Sequence, residues 1–198
     1  NSLTKTASSE WGNSGASSQQ SISGDGYVST VVAETNTYRM IGLGNANVDA
    51  NFTDIEFAIY LREDGTLQVY ESGTQKWAGD TTYATGDVLK VAVESGVVKY
   101  YKNSTLLYTS TVTPTFPLYV DTSLYTQGAT LKQINIYTQQ AVKVPITGLS
   151  PNQGTINFRA KNLAESANGS VLVDLPKPGK ALSFDGVDDY VDCGSNLN

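Results

Sequence analysis

Two carboxylates stand two residues apart at Asp54 and Glu56. On an extended strand such a pair shares one face and lies about 7 Å apart. That separation is inside the roughly 6.5–9.5 Å used by inverting glycosidases and beyond the roughly 5–5.5 Å used by retaining ones, so spacing alone leaves catalysis open. Aromatic residues are plentiful: Trp11, Trp77 and twelve tyrosines, of which Tyr38, Tyr60 and Tyr70 fall on or beside the same sheet face as the two carboxylates. Rings flanked by carboxylate and amide groups suit sugars, whose C–H faces stack while their hydroxyls hydrogen-bond to polar neighbours. The expected ligand contacts are therefore Tyr38, Asp54, Glu56, Tyr60, Tyr70 and Trp77. The competing reading is that strands favour tyrosine anyway and that Trp11 or Trp77 covers a sheet edge. Near the end of the chain, Asp185, Asp188 and Asp189, with Asp192 beside them, supply hard oxygens within a short turn, the ligand type that calcium takes. Their spacing is not that of an EF-hand loop, and Asp-Gly and Asp-Asp are ordinary turn formers.

The elements that must position these groups are strands. Alternation of apolar and polar residues recurs between Gly, Asp and Asn breaks, while helix signals are nearly missing. The clearest run is 53–62, which predicts Ile55, Phe57, Ile59 and Leu61 on one face and Asp54, Glu56, Ala58 and Tyr60 on the other. Asp64-Gly65 then signals a hairpin into 66–71. Further strands are expected over 27–32, 38–43, 88–94, 97–102, 106–112, 118–124 and 129–137, the last with Leu131, Ile134 and Ile136 inward. About nine or ten short strands in about 140 residues predict an all-β, antiparallel two-sheet sandwich. Beyond Tyr137, Pro145, Pro151, Pro176 and Pro178 punctuate short pieces, so 141–179 reads as a connector with strand fragments and 180–198 as the first strands of another module.

Composition removes several classes of function. The 198 residues carry 13 Lys and Arg against 19 Asp and Glu, and a net charge of -6 opposes a phosphate backbone. Nucleic acid is not an expected partner. Histidine is absent, which removes the commonest general base and metal ligand and the usual partner of a serine or cysteine nucleophile. One cysteine, Cys193, allows no internal disulfide. Only 16% of the residues are charged, a balance that fits a neutral, hydroxylated surface and an extracellular setting. No stretch approaches the roughly 18 apolar residues of a membrane span. Both ends read as cut from a longer chain.

Two stretches carry a family resemblance. Gly86-Asp87-Val88, the runs to Val93 and from Val97 to Asn103, then Pro117-Leu118-Tyr119-Val120 and Leu124-Tyr125, resemble concanavalin-like jelly rolls that include SPRY-type modules. With the run Asp54 to Gly65 before them, they are similar to modules of very large secreted bacterial surface proteins. Ser104 departs from the pattern, standing where the family has the glycine of an Asn-Gly turn. The run 181–192 is similar to the opening strands of laminin-G-like modules, which often bind calcium. The resemblance implies a jelly-roll sandwich over 1–140, an array of neighbouring β-sandwich modules in the same polypeptide, and a non-enzymatic role in adhesion, binding a glycan or surface protein. The alternatives are a structural spacer in a filament or stalk and, last, a polysaccharide hydrolase. Concanavalin-like glycosidases show Glu-x-Asp-x-x-Glu, whereas here Asp-x-Glu runs on into Phe57, Ala58 and Ile59.

Overall fold

The structure, a computed structural model, describes residues 2–139 and, beyond them, the backbone of two short strands. By its internal contacts the chain divides into two compact units, Asn1–Gln139 and Gln140–Asn198. In the second unit, Val144–Pro145 pairs in parallel with Val173–Asp174.

Twelve strands build the first unit: β1 (Ser2–Thr4), β2 (Gly15–Ile22), β3 (Gly26–Val31), β4 (Arg39–Gly44), β5 (Phe57–Leu61), β6 (Thr66–Glu71), β7 (Thr74–Thr82), β8 (Val88–Glu94), β9 (Val97–Lys102), β10 (Thr105–Thr109), β11 (Leu118–Leu124) and β12 (Thr130–Thr138). They form two six-stranded antiparallel sheets. Sheet one runs β1-β12-β3-β8-β9-β10 and sheet two runs β2-β11-β4-β5-β6-β7. This is the all-β, antiparallel two-sheet sandwich that the alternation predicts, and the jelly roll that the resemblance implies.

Alternate residues of the inner strands fill the space between the sheets: Val28 of β3, Ile41 and Leu43 of β4, Phe57, Ile59 and Leu61 of β5, Leu67 and Val69 of β6, and Leu89, Val91 and Val93 of β8. Each fully buried side chain of this kind contributes roughly 1.5–3 kcal/mol by leaving water. Arg39 is also interior, 3.5 Å from the carboxylate of Glu34, and donates to the Thr37 hydroxyl. Burial pulls its pKa down, and the charge of Glu34 works the other way.

The turns follow the local chemistry. Asp64 Oδ1 accepts from the Thr66 amide at 3.0 Å and its hydroxyl at 2.6 Å, closing the turn at Gly65, whose φ is +76°. Asn103 and Ser104 both take positive φ, +47° and +68°, the handedness that a two-residue type I′ hairpin requires. The serine thus occupies the conformation in which the resembling modules have glycine. In β12, pairing with β3 slips by one residue between Lys132 and Asn135, and Gln133 takes φ +49°. This bulge brings Leu131, Ile134 and Ile136 to the same inner side despite their uneven spacing.

The strand expected over 53–62 starts later than its pattern indicates. Phe52–Asp54 is a turn of 3₁₀-helix, and regular pairing begins at Phe57. Asp54 and Glu56 therefore do not stand side by side on a strand, and Ile55 leaves the inner set to pack with Met40 and Ala58 on the outer side of sheet two. The physical reason is that the backbone is held elsewhere: the Ile55 amide bonds to Phe52 O at 3.4 Å, and the Ser72 amide bonds to the carbonyls of Ile55 and Glu56 at 3.2 Å each.

Candidate functional site

The outer face of sheet two is built from the positions that the core leaves over. In register across the sheet lie Asp121 of β11, Gly42 of β4, Ala58 of β5 and Tyr70 of β6, and beside them Ser123, Met40, Tyr60 and Gln68. Met40, Ala58 and Ile55 form a buried patch, on which Trp11, Phe52, Tyr60 and Tyr70 pack. The rings touch in a chain. Trp11 lies 5.0 Å from Phe52, 5.8 Å from Tyr60 and 5.2 Å from Tyr125, measured between centroids. Tyr60 meets Tyr38 at 5.8 Å and Tyr70 at 5.5 Å, the latter edge to face. Such edge and tilted contacts are the arrangements that ring quadrupoles favour.

All six rings are half-buried, so each keeps part of its surface open to solvent. The hydroxyls of Tyr60, Tyr70 and Tyr125 make no hydrogen bond among the described residues, and neither do the side-chain amides of Gln68 and Gln75, which lie opposite Tyr60 and Tyr70 in the sheet register. Burial, followed by the neighbouring Tyr38, drives the Tyr60 phenol well above its ordinary pKa. Burial also raises that of Tyr38, whose hydroxyl interacts with Glu63 and Arg62.

At one end of this face the loop 45–51 folds over β4 and β11. Its fixings are specific. Asp54 Oδ2 accepts from the amides of Val48 at 2.8 Å and Asp49 at 3.2 Å, and Glu56 Oε2 accepts from the Asn45 amide at 3.2 Å. Ser123 Oγ donates to Ala50 O at 2.8 Å, and Asn47 Nδ2 donates to Ser17 Oγ at 2.8 Å. A glycine at position 44 lets the loop come down: a Cβ there would stand 3.3 Å from Ala46 O and 3.4 Å from Asp54 O. Beneath the loop, Asp121 is only 3% exposed, and burial, with the charges of Asp54 and Asp49 adding to it, raises its pKa to about 7 against the bond from the Thr122 amide. Burial likewise raises the pKa of Glu56, against the bond from Asn45.

No protein-family model matches the chain, and no curated protein matches it. Solved structures similar to it include the alginate lyase AlgAT5 of polysaccharide lyase family 7, at 21% identity over 62% of this chain and TM-score 0.38. The chain spans 60% of that lyase. The SPRY domain of human HERC1 is 14% identical, with 67% of this chain and 82% of that domain covered and TM-score 0.39. The carbohydrate-binding module CBM66 of Bacillus subtilis is 11% identical, over 63% of this chain and 92% of the module, with TM-score 0.36. None of these likenesses assigns a residue or an activity to this chain.

Of the residues expected to contact a ligand, Tyr38, Tyr60 and Tyr70 come together on the outer face. Asp54 and Glu56 border it, with their carboxylates turned to the backbone of the loop. Trp77 does not join them. It lies across from Val69, an interior residue, and packs against the core between the sheets. One position along a strand reverses the face, and the irregular pairing of β6 with β7 decides which ring points inward. Trp11, weighed only within the aromatic set or as an edge cover, joins this face, as do Phe52 and Tyr125, none of them among the expected contacts. Tyr125 had a signal, since Tyr119, Asp121, Ser123 and Tyr125 alternate with the core residues Leu118, Val120 and Leu124. Trp11 and Phe52 sit outside regular strands and had none. Asp185, Asp188 and Asp189, expected to hold calcium, lie outside the described residues. No helix among the described residues is long and apolar enough to cross a membrane.

Proposed function

We propose that the first unit is a non-enzymatic carbohydrate-binding module of a secreted or cell-surface bacterial protein, acting in adhesion, and that the outer face of sheet two is its glycan platform. The observation that carries this reading is the row of six half-buried rings, in which the hydroxyls of Tyr60, Tyr70 and Tyr125, with the amides of Gln68 and Gln75, make no hydrogen bond among the described residues. A sugar ring supplies what such a face lacks: a C–H surface for the aromatic faces, and hydroxyls that both donate and accept for the phenols and amides.

Chemistry on this face has little support. A general base works best with a pKa near the working pH, yet the phenols of Tyr60 and Tyr38 are moved upward, away from it. The carboxylates of Asp54 and Glu56 already accept from loop amides, and Asp121 is too enclosed to reach a substrate. The low charged fraction and the resemblance to bacterial surface modules support the extracellular setting.

The test is a glycan-array screen of the 198-residue chain, followed by titration of any hit against Trp11→Ala and Tyr60→Ala. A saturable hit that both variants weaken, while each still melts cooperatively, is the expected outcome. A blank screen on a folded protein, or a hit indifferent to both variants, would overturn the assignment and favour the spacer. Turnover of a polysaccharide would overturn the non-enzymatic part.

A further inference from the structure

Three buried oxygens on the loop 45–51, the turn after it and the strand beneath it have no hydrogen-bond partner: Asn51 Oδ1, Asp54 Oδ1 and Asp121 Oδ2. Asn51 is the residue that opens the 3₁₀ turn ending at Asp54, which puts both side chains on one short segment. The Ser123 bond to Ala50 O holds that segment against β11, two residues from Asp121. Outward-facing Gly42, the register partner of Asp121, adds no side chain to the space. Asp121 interacts electrostatically with Asp54 and Asp49. No lysine or arginine answers this charge, since none of the ion pairs among the described residues includes Asp49, Asp54 or Asp121. A buried acceptor left without a donor is costly.

We infer that this space is a binding site for a hard divalent cation of calcium's size, held by Asn51 Oδ1, Asp54 Oδ1 and Asp121 Oδ2 and pinning the loop to sheet two. The donor set is all oxygen, two carboxylates and one amide. Among the described residues no three acidic or cysteine side chains group to hold a metal ion, and the set inferred here has two carboxylates and an amide. Calcium accepts carboxylate, amide and backbone carbonyl oxygens in flexible geometry, whereas magnesium demands a tighter octahedron and keeps its waters. Soft metals have no ligand here. The remaining oxygens of both aspartates are occupied: Asp54 Oδ2 by loop amides, and Asp121 Oδ1 by the Thr122 amide at 2.7 Å. Each carboxylate therefore presents one oxygen to the ion.

The test is calcium titration of the 198-residue chain after chelator treatment, by calorimetry and by thermal melt at pH 7.5. The expected result is saturable binding, with a rise in Tm of about 5 to 10 °C at a hundredfold excess over Kd. Asp121→Asn and Asp54→Asn should each weaken binding at least tenfold. Combined replacement of Asp185, Asp188 and Asp189 by Asn should leave this site's binding and its Tm shift in place. Should Asp121→Asn fail to fold, Asn51→Ala and the wild-type comparison of calcium against chelator keep the test decisive. Absence of saturable binding at millimolar calcium overturns the inference. So does binding that is lost with the three C-terminal aspartates and kept in Asp121→Asn. A melt that responds to pH near 7 but not to calcium also overturns it, because two carboxyls would then be sharing a proton in place of the ion.

Discussion

The two outer faces of the sandwich both carry aromatic and charged residues and arrange them in opposite ways. On sheet one, Lys90 Nζ stands 4.1 Å from the centre of the Tyr101 ring and 5.5 Å from that of Tyr27, and Tyr27 stacks on Tyr137 at 5.3 Å. Glu94 closes the network, accepting from the Tyr101 hydroxyl at 2.7 Å and from Lys99 at 3.0 Å, with Lys90 at 3.7 Å. Lys90, Lys99, Glu94 and the Tyr101 hydroxyl have found their complements in one another. On sheet two, the phenols of Tyr60, Tyr70 and Tyr125 and the oxygens under the loop have none. Exposed tyrosine is thus weak evidence for a ligand until its hydroxyl and its neighbours are accounted for.

The sharpest contrast between the faces is the sign of their pH dependence. Asp121, raised to about 7, keeps its proton in the folded chain over a range where the unfolded chain has released it. In chelator, stability should therefore fall as pH rises from about 4 to about 7 and then level off, by on the order of 4 kcal/mol. Glu94 behaves oppositely. Burial alone would raise it, but the Tyr101 and Lys99 bonds and the lysine charges hold it below the usual range, so its stabilisation is present above its unfolded pKa and lost only as pH falls through the lower folded value. Urea unfolding from pH 4.5 to 8.5 should show the Asp121 slope in wild type and a flatter line in Asp121→Asn. Equal slopes would break the contrast. Next in size, Trp11→Ala should weaken a glycan hit roughly 30-fold, the loss of about 2 kcal/mol typical of an anchoring aromatic. Tyr27→Ala on sheet one should leave affinity unchanged, and isothermal titration of both variants checks the pair. The smallest effect belongs to Glu94→Gln, which should cost less than about 1 kcal/mol and less still in high salt, as partly exposed ion pairs do.

Much of this architecture could be read from the sequence because the central strands alternate cleanly: 66–71, 88–94, 97–102 and 118–124 appear with the expected limits. The edge strands of sheet two did not announce themselves. β2 and β7 each border only one strand and bury little, so Gly15–Ile22 and Thr74–Thr82 are mostly polar and read as loops. The tyrosines of the outer face followed from period two. The acidic residues did not, because Asp54 and Glu56 lie where the strand pattern continues but the backbone turns. Asp121 looked like an ordinary polar strand residue. Its significance depends on the loop 45–51 coming to rest over it, a contact between segments some 70 residues apart that no local pattern encodes.

The slip in β12 has a consequence for how this strand tolerates changes in length. Because the bulge holds one residue more than the facing stretch of β3, deletion of Gln133 would leave Leu131 and the two isoleucines in strict alternation and still inward. Removing a single residue between Ile134 and Ile136 would instead set the two isoleucines on opposite faces. Loss of one residue can thus pass silently at Gln133, and a chain lacking it would keep the same core.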